Sequence, residues 1–287
     1  MELWKQPEIA ESYAKNNNIT YPAAVAQYVL ERLMTSRDNS KLELIVDAGC
    51  GNGRSLKWYL PYFHRAVGFD ASEFQIDNAR KLNKSPKVSY FVGQENKIAV
   101  EDGSVDLIIA AGSVHYMNVN DFVCECNRVL KQNGMVAIYN HEYCELIVDD
   151  QPTQVTQRNE KPKFVSGFDI FDTFYQQPVK NYFSRENHPN FDDLCFYDHL
   201  YSEISGMKKE KKNGPTLDYY LSLKEFKDHF LSEPAYKKHH ELFPENSAPL
   251  NVMGQKLKCL SNTPELKDEE LILKVTVLLH VIFLSKY

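Results

Sequence analysis

Between residues 42 and 140, short apolar runs alternate with longer amphipathic stretches, and this alternation constrains the fold more than any other feature of the chain. LELIVDAG (42–49), RAVGFDAS (65–72), KVSYFVGQ (87–94), VDLIIAAG (105–112) and MVAIYN (135–140) have the length and apolar character of buried strands. Between them, GRSLKWYLPYF (53–63), SEFQIDNARKLNK (72–84) and NDFVCECNRVLKQNG (120–134) carry apolar residues at helical spacing. Ser72 suits an N-cap and Gly134 a helix stop. Strands separated by helices of this length are βαβ units with a parallel sheet between two helical layers. The predicted fold is therefore α/β: a Rossmann-like, mostly parallel, seven-stranded sheet with helices on both faces.

The flanking segments are less regular. YPAAVAQYVLERLM (21–34) is a good amphipathic helix, so residues 1–40 form an expected N-terminal helical cap. Residues 141–190 mix prolines, aromatics and polar residues without a period. They open an expected insertion after strand 5, a substrate cap over 141–235. Within it, 192–204 and 216–231 look helical or mixed, and MKKEKKNG (207–214) has the composition of a charged turn. PELKDEELILKV leads from a helix into a last strand region at 264–287. The run LILKVTVLLHVIFL (271–284) is 14 residues long and holds a Lys and a His. It is too short to span a bilayer and reads as a buried strand.

A chain of 287 residues, 43% hydrophobic, can bury the core of one such domain, 1–287. Its formal net charge of −6 argues against a nucleic-acid partner, which wants a basic surface. The polar start MELWKQPEIAESYAKNNN has no apolar run of signal-peptide length, and no membrane contact is expected. Six cysteines lie scattered without metal-ligand spacing, so no metal site is expected and the thiols read as reduced, in a cytoplasmic protein. The composition leaves oligomeric state open and is compatible with a monomer.

At VDAGCGNGRS (46–55), three glycines stand at alternate positions directly after the first strand. In open α/β sheets, ligands bind beyond the carboxyl ends of the strands, where the strand order reverses. Gly49, Gly51 and Gly53 let the backbone turn tightly and approach a ligand there. Asp70 closes the second strand, where a carboxylate can accept hydrogen bonds from both hydroxyls of a ribose. The spacing is G-x-G-x-G rather than the G-x-G-x-x-G of dinucleotide sites, and no GKS or GKT follows. Asp47, just ahead of the glycines, would repel a pyrophosphate but attract an ammonium group. S-adenosylmethionine offers a ribose, an ammonium and no phosphate.

DAGCGNGRS, GFDAS, VGQENKIAVEDGSVDLIIAAGSVHYM and NRVLKQNGMVAIYN, in this order and spacing, resemble the class I S-adenosylmethionine-dependent methyltransferases over roughly residues 42–140. DLIIAAGSVHYMNVNDFVCECNRVLKQNG and ESYAKNNNITYP are similar to the trans-aconitate methyltransferase-like group within that family. The resemblance implies a cofactor-binding core at 42–140, with S-adenosyl-L-methionine as cofactor. The glycine loop would lie under its methionine part, Asp47 would hold its ammonium and Asp70 its ribose. Ala71 would lie against the adenine. Gln94 and Glu95 fall where the family has Asp-Ala, and a Gln oxygen can still accept from the adenine amino group. Ala111 would offer its carbonyl to the ammonium. Tyr13 and Trp4 belong to a segment that could close as a lid.

The implied activity is methyl transfer to a small molecule: O-methylation of a carboxylate or similar metabolite, with N-methylation of a small amine, or cofactor binding without turnover, as alternatives. A carboxylate acceptor needs no base but wants Arg or Tyr, and Arg158, Arg185, Tyr143, Tyr175 and Tyr182 are available. An acceptor that must lose a proton needs a base, and His115, on the lip after strand 4, is the candidate catalytic residue. The aromatic density of residues 164–220 suggests a largely apolar acceptor pocket.

Overall fold

A computed structural model describes residues 6–16, 18–35, 42–149, 164–175, 196–232, 236, 240–244 and 248–287. Trp4, Arg158, Tyr182, Arg185 and Cys195 lie outside the described residues. Among the described residues eight strands are formed: β1 (Leu42–Ala48), β2 (Phe63–Asp70), β3 (Val88–Val92), β4 (Val105–Ala111), β5 (Leu130–Asp149), β6 (Phe164–Ser166), β7 (Lys208–Ser222) and β8 (Ile272–Ser285). Seven of them make one continuous sheet in the order β3-β2-β1-β4-β5-β8-β7, and the three-residue β6 pairs on β5 as an eighth, one more than the sequence predicts. The β3-β2-β1-β4-β5 side is parallel, whereas β8 and β7 are added antiparallel.

The order reverses between β1 and β4, which are neighbours. From β1 the chain moves outward through β2 to β3, then returns to the far side of β1. This leaves a crevice above the carboxyl ends of β1 and β4, where loops diverge to either side. Both faces of the sheet are covered. Leu42 and Ile45 of β1 point into one apolar cluster with α2 (Ala23–Met34), while Leu44 and Val46 point into another with α4 (Val119–Val129). Helix α2 buries Val25, Ala26, Val29, Leu30 and Leu33, a single stripe at helical spacing. Helix α3 (Glu73–Leu82) begins, as its sequence predicts, where the Ser72 side chain accepts from the Gln75 amide.

Four local expectations are corrected. The stretch 53–63 is not a full helix but a short 3₁₀ turn, Ser55–Trp58, because Pro61 disfavours helical backbone at Leu60 and Phe63 already opens β2. Helix α4 ends at Val129, and Gly134 lies inside β5 rather than capping a helix. A Cβ at Gly134 would sit 2.7 Å from a Leu130 methyl and 2.9 Å from the Val105 carbonyl, so close strand packing explains that glycine. The strand expected at 135–140 runs from Leu130 to Asp149, so the segment expected as insertion from 141 begins as sheet. The charged run 207–214 is not a turn but the first half of β7. It lies at the edge of the sheet, where lysines discourage pairing with another chain.

The remaining described helices are α1 (Pro7–Asn16), α5 (Phe168–Phe174), α6 (Phe196–Glu203), α7 (Leu223–Ser232) and α8 (Pro249–Leu260). The residues directly before β8 form turns, and α8 ends well ahead of them. Among the described residues no helix is long and apolar enough to cross a membrane.

Candidate active site

The glycine loop leaves β1 through three left-handed backbone positions: φ is +64° at Gly49, +52° at Gly51 and +76° at Gly53. Side chains other than glycine are strained there. The three differ in what surrounds them. A Cβ on Gly49 would lie 2.6 Å from that of Ser113, and one on Gly53 would lie 2.4 Å from the Tyr90 hydroxyl. Protein atoms therefore fill the space at those two positions. A Cβ on Gly51 would meet only the Gln75 side-chain oxygen, at 4.0 Å, so its face is open. Gly51 is the point of the loop where bare backbone meets a cavity.

Asp70, at the end of β2, ties this loop down. One carboxylate oxygen accepts from the Gly51 amide at 2.9 Å and the other from the Ser72 amide at 2.9 Å. Burial raises its pKa, and the two N–H bonds partly offset that rise. Each oxygen keeps a further lone pair on the cavity side. Asp47 lies behind the loop and is fully buried, and neither of its carboxylate oxygens has a hydrogen-bond partner among the described residues. Burial, with Asp70 nearby, pushes its pKa up to about 8. Two acids close together in a dry place, one of them without a hydrogen bond, make these surroundings favourable to a cation.

These residues border a cavity of about 410 Å³, in the range of small-molecule sites. Gly49, Gly51, Asp70, Ala71, Gln94, Glu95 and Ala111 line one end of it, Tyr13 and His115 reach it from its rim, and Asp47 and Gly53 do not line it. Glu95 is also tied to protein: its carboxylate accepts from the Asn118 amide at 2.8 Å, at the start of α4. His115 sits on a 3₁₀ turn, Val114–Tyr116, its ring tilted against Tyr116 at 4.2 Å. Ser113 donates to the Ala48 carbonyl at 2.7 Å and so links the ends of β1 and β4 across the crevice.

The far end of the cavity holds residues that the sequence reading passes over. Asn140 and His141 of β5, Tyr21 from the link between α1 and α2, and His229 and Phe230 of α7 join Tyr143 and Tyr175 there. The Tyr21 hydroxyl donates to the Asn140 side-chain oxygen at 3.1 Å, and the Tyr143 hydroxyl meets Nε2 of His229 at 3.0 Å. Burial lowers the pKa of His141 to about 4 and that of His229 to about 3, so both imidazoles are neutral at neutral pH. Of these, His141 carries a signal in the sequence: it follows the strand expected at 135–140, at the carboxyl end of a sheet that binds ligands at those ends. His229 carries none, because only tertiary folding brings α7 to the cavity.

A strap crosses the mouth. The Asn18 side chain donates to the Glu225 carbonyl at 2.9 Å, Tyr219 donates to the Thr20 carbonyl at 2.5 Å, and Trp58 donates to the Tyr21 carbonyl at 3.1 Å. Arg54 donates to the Ala14 carbonyl, which places α1 and Tyr13 against the glycine loop.

The methyltransferase-domain family model matches residues 46–138. Over 133 residues the chain is 34% identical to a candidate methyltransferase of Dictyostelium discoideum, an alignment covering 46% of this chain and 47% of that protein. Over 134 residues it is 25% identical to a Saccharomyces cerevisiae protein assigned to the S-adenosylmethionine-dependent methyltransferases, covering 44% of each. The chain thus spans about half the length of these curated relatives. A candidate type II methyltransferase from Anaeromyxobacter dehalogenans shares its fold, with a TM-score of 0.65 at 19% identity over 93% of this chain and 96% of that one. The two acids, the open face at Gly51 and the reversal of strand order are compatible with the donor named for the yeast relative, S-adenosylmethionine. Residues 46–138 match the methyltransferase-domain family, and the chain shares the fold of that solved candidate methyltransferase.

Proposed function

We propose that the chain transfers the methyl group of S-adenosylmethionine to an oxygen of a small molecule. The observation that carries this reading is one cavity with two unlike sets of walls: glycine-loop backbone and the Asp70 carboxylate, with Asp47 buried behind them, and aromatic residues beyond. The cofactor, when bound, supplies a methyl group on a positively charged sulfur. Asp47, buried behind the glycine loop and outside the cavity lining, would act on its ammonium through the loop, and Asp70 would accept from its ribose hydroxyls. Ala71, Gln94 and Glu95 would border the adenine, and the Ala111 carbonyl would add to the ammonium site. In this reading residues 42–140 hold the donor, residues 141–235 cap the acceptor, and Tyr13 on α1 closes the mouth.

Methyl transfer is an in-line displacement, and the protein contributes mainly position. Holding donor and acceptor aligned supplies on the order of 7–11 kcal/mol in favourable cases. The strap at 18–22 excludes water, so neither reacting group keeps a full hydration shell. Positive charge disperses as the methyl group moves, and a wall of Tyr21, Tyr143, Tyr175 and Phe230 does not oppose that dispersal. His115, which lines the cavity, would contact the reacting group.

The likeness to the trans-aconitate methyltransferase-like group favours a carboxylate acceptor. Such an acceptor would want a guanidinium beside it. Among the described residues the cations of the wall are Arg54 and Lys57, both on the glycine-loop side. Arg54 donates to the Ala14 carbonyl and Lys57 lies over the Trp58 ring. The described wall therefore favours a hydroxyl oxygen over a carboxylate. A tritiated-methyl assay against matched panels of small phenols, alcohols, carboxylic acids and amines tests the reading. Label should pass to oxygen acceptors, and the hydroxyl panel should lead. Cofactor binding with no label transferred to any panel would make this a binding protein.

A further inference from the structure

His141 lies two residues beyond Tyr139, whose partner Ala111 is the last residue of β4. It therefore stands just above the carboxyl ends of the parallel strands, on the acceptor side of the crevice, and it lines the cavity. Two edge contacts clamp its ring: Tyr21 at 5.9 Å and 66°, and Tyr143 at 5.4 Å and 86°. The polar groups of both clamping residues are engaged elsewhere, Tyr21 with Asn140 and Tyr143 with His229. Neither nitrogen of His141 has a hydrogen-bond partner among the described residues. An imidazole held in place at a cavity wall, with its nitrogens unused by the fold, is built to meet a ligand proton.

We propose that the acceptor is an acidic hydroxyl, phenolic or enolic, and that His141 takes its proton as the methyl group arrives. This rests on the methyl-transfer reading above. The acceptor O–H bond breaks and its proton passes to a ring nitrogen of His141. The oxygen forms a bond to the methyl carbon. The methyl–sulfur bond breaks with its electron pair remaining on sulfur, which leaves a neutral thioether. The imidazolium then returns its proton to solvent.

The surroundings of His141 choose the substrate class. Tyr21 faces it from the link between α1 and α2, Asn140 and Tyr143 from β5, and His229 from α7; burial holds the Tyr21 hydroxyl protonated and the His229 ring neutral at neutral pH. With no carboxylate among the described residues to support it, burial pushes its pKa down to about 4. The ring is thus in its proton-accepting form throughout the neutral range, but it is a weak base. A hydroxyl as reluctant as water, with a pKa of about 15.7, is beyond it. A phenolic hydroxyl, with a pKa of about 10, is much nearer, and electron-withdrawing groups bring it nearer still. The flat aromatic wall also suits a ring-bearing acceptor.

The test begins without donor. Protein with ¹⁵N-labelled histidine is titrated with 4-nitrophenol and, separately, with 4-nitroanisole, which has the same ring but no proton to give. The His141 signal is assigned from its loss in His141→Gln or, if that variant does not fold, His141→Asn. The proposal expects the phenol to move the His141 signal and the anisole to leave it in place. A signal that ignores a bound phenol, moves equally with both probes, or meets no phenol binding at all overturns it. In turnover, His141→Gln should lower kcat on unsubstituted phenol by about a hundredfold. The loss should be smaller on 4-nitrophenol, and affinity for S-adenosylhomocysteine should be unchanged. A wild-type kcat on phenol would also overturn the assignment. If wild-type protein does not bind S-adenosylhomocysteine, the methyl-transfer reading fails by itself, and the donor-free titration still reports on His141.

Discussion

The two halves of the sheet differ in construction, and the difference separates binding a donor from choosing an acceptor. On one side β1, β2, β3 and β4 are short and parallel, with β1 and β4 buried and β3 a half-exposed edge, and their carboxyl ends stop near one level, where the glycine loop and Asp70 stand. On the other side β5, β7 and β8 are long, and β8 runs antiparallel to both of its neighbours. They continue past that level and raise a wall against which α5, α7 and α8 pack. In the first half backbone amides and two acids set the chemistry. In the second, aromatic rings and neutral imidazoles do.

Substitutions in each half should therefore fail in different ways. The largest effect is expected from Asp70→Ala, which removes the anchor of the Gly51 amide together with the proposed ribose contacts. Two hydrogen bonds to a charged group are worth about 3–6 kcal/mol, so calorimetry should show S-adenosylhomocysteine affinity reduced by about 10²- to 10⁴-fold. Unchanged affinity would remove Asp70 from the site. Phe171→Ala comes next. Phe171 is 1% exposed and packs against Phe226 at 5.6 Å and Phe230 at 6.1 Å, with Tyr143 on another side. Urea unfolding should show about 3–5 kcal/mol lost, with cofactor affinity per folded molecule unchanged because the damage stays in the acceptor half. A matching loss of cofactor affinity would show that the halves are coupled.

The smallest effect concerns acid. In the unfolded chain His229 takes a proton near its ordinary pKa of 6.5, but in the fold it does so only at about 3. Between those values the unfolded state binds more protons, so stability falls as pH drops through this window. His229→Gln should flatten the slope of stability against pH there. An unchanged slope would mean that the imidazole is not held neutral.

Much of the donor half is legible in the sequence. Runs such as LELIVDAG and VDLIIAAG are local signals of buried parallel strands, and Asp70 and the glycines stand at fixed offsets from them. The acceptor half is less so. Its strands need neighbours to explain them: Lys208 to Lys212 look like a turn until β7 is seen to be a sheet edge, and Gly134 looks like a helix stop until Leu130 and Val105 close around it. The chemistry of His229 is invisible for the same reason, since burial among residues distant in sequence lowers its pKa. At the glycine loop the sequence reading is right about the turn but incomplete about its cause. Gly49 and Gly53 make room for Ser113 and Tyr90, and Gly51 is the one of the three whose Cα faces open space.

The central claim is that Asp47, buried behind the glycine loop, favours the cationic end of S-adenosylmethionine while Asp70 holds its ribose. Asp47, with its pKa of about 8, is protonated in the free protein below that pH. An ammonium placed beside it would favour the carboxylate and lower that pKa. Calorimetry of S-adenosylhomocysteine binding at about pH 6.5, in two buffers of different ionisation enthalpy, should reveal release of about one proton, which disappears in Asp47→Asn. Binding with no proton exchange in the wild-type protein, or equal binding of NAD in its place, would contradict the account.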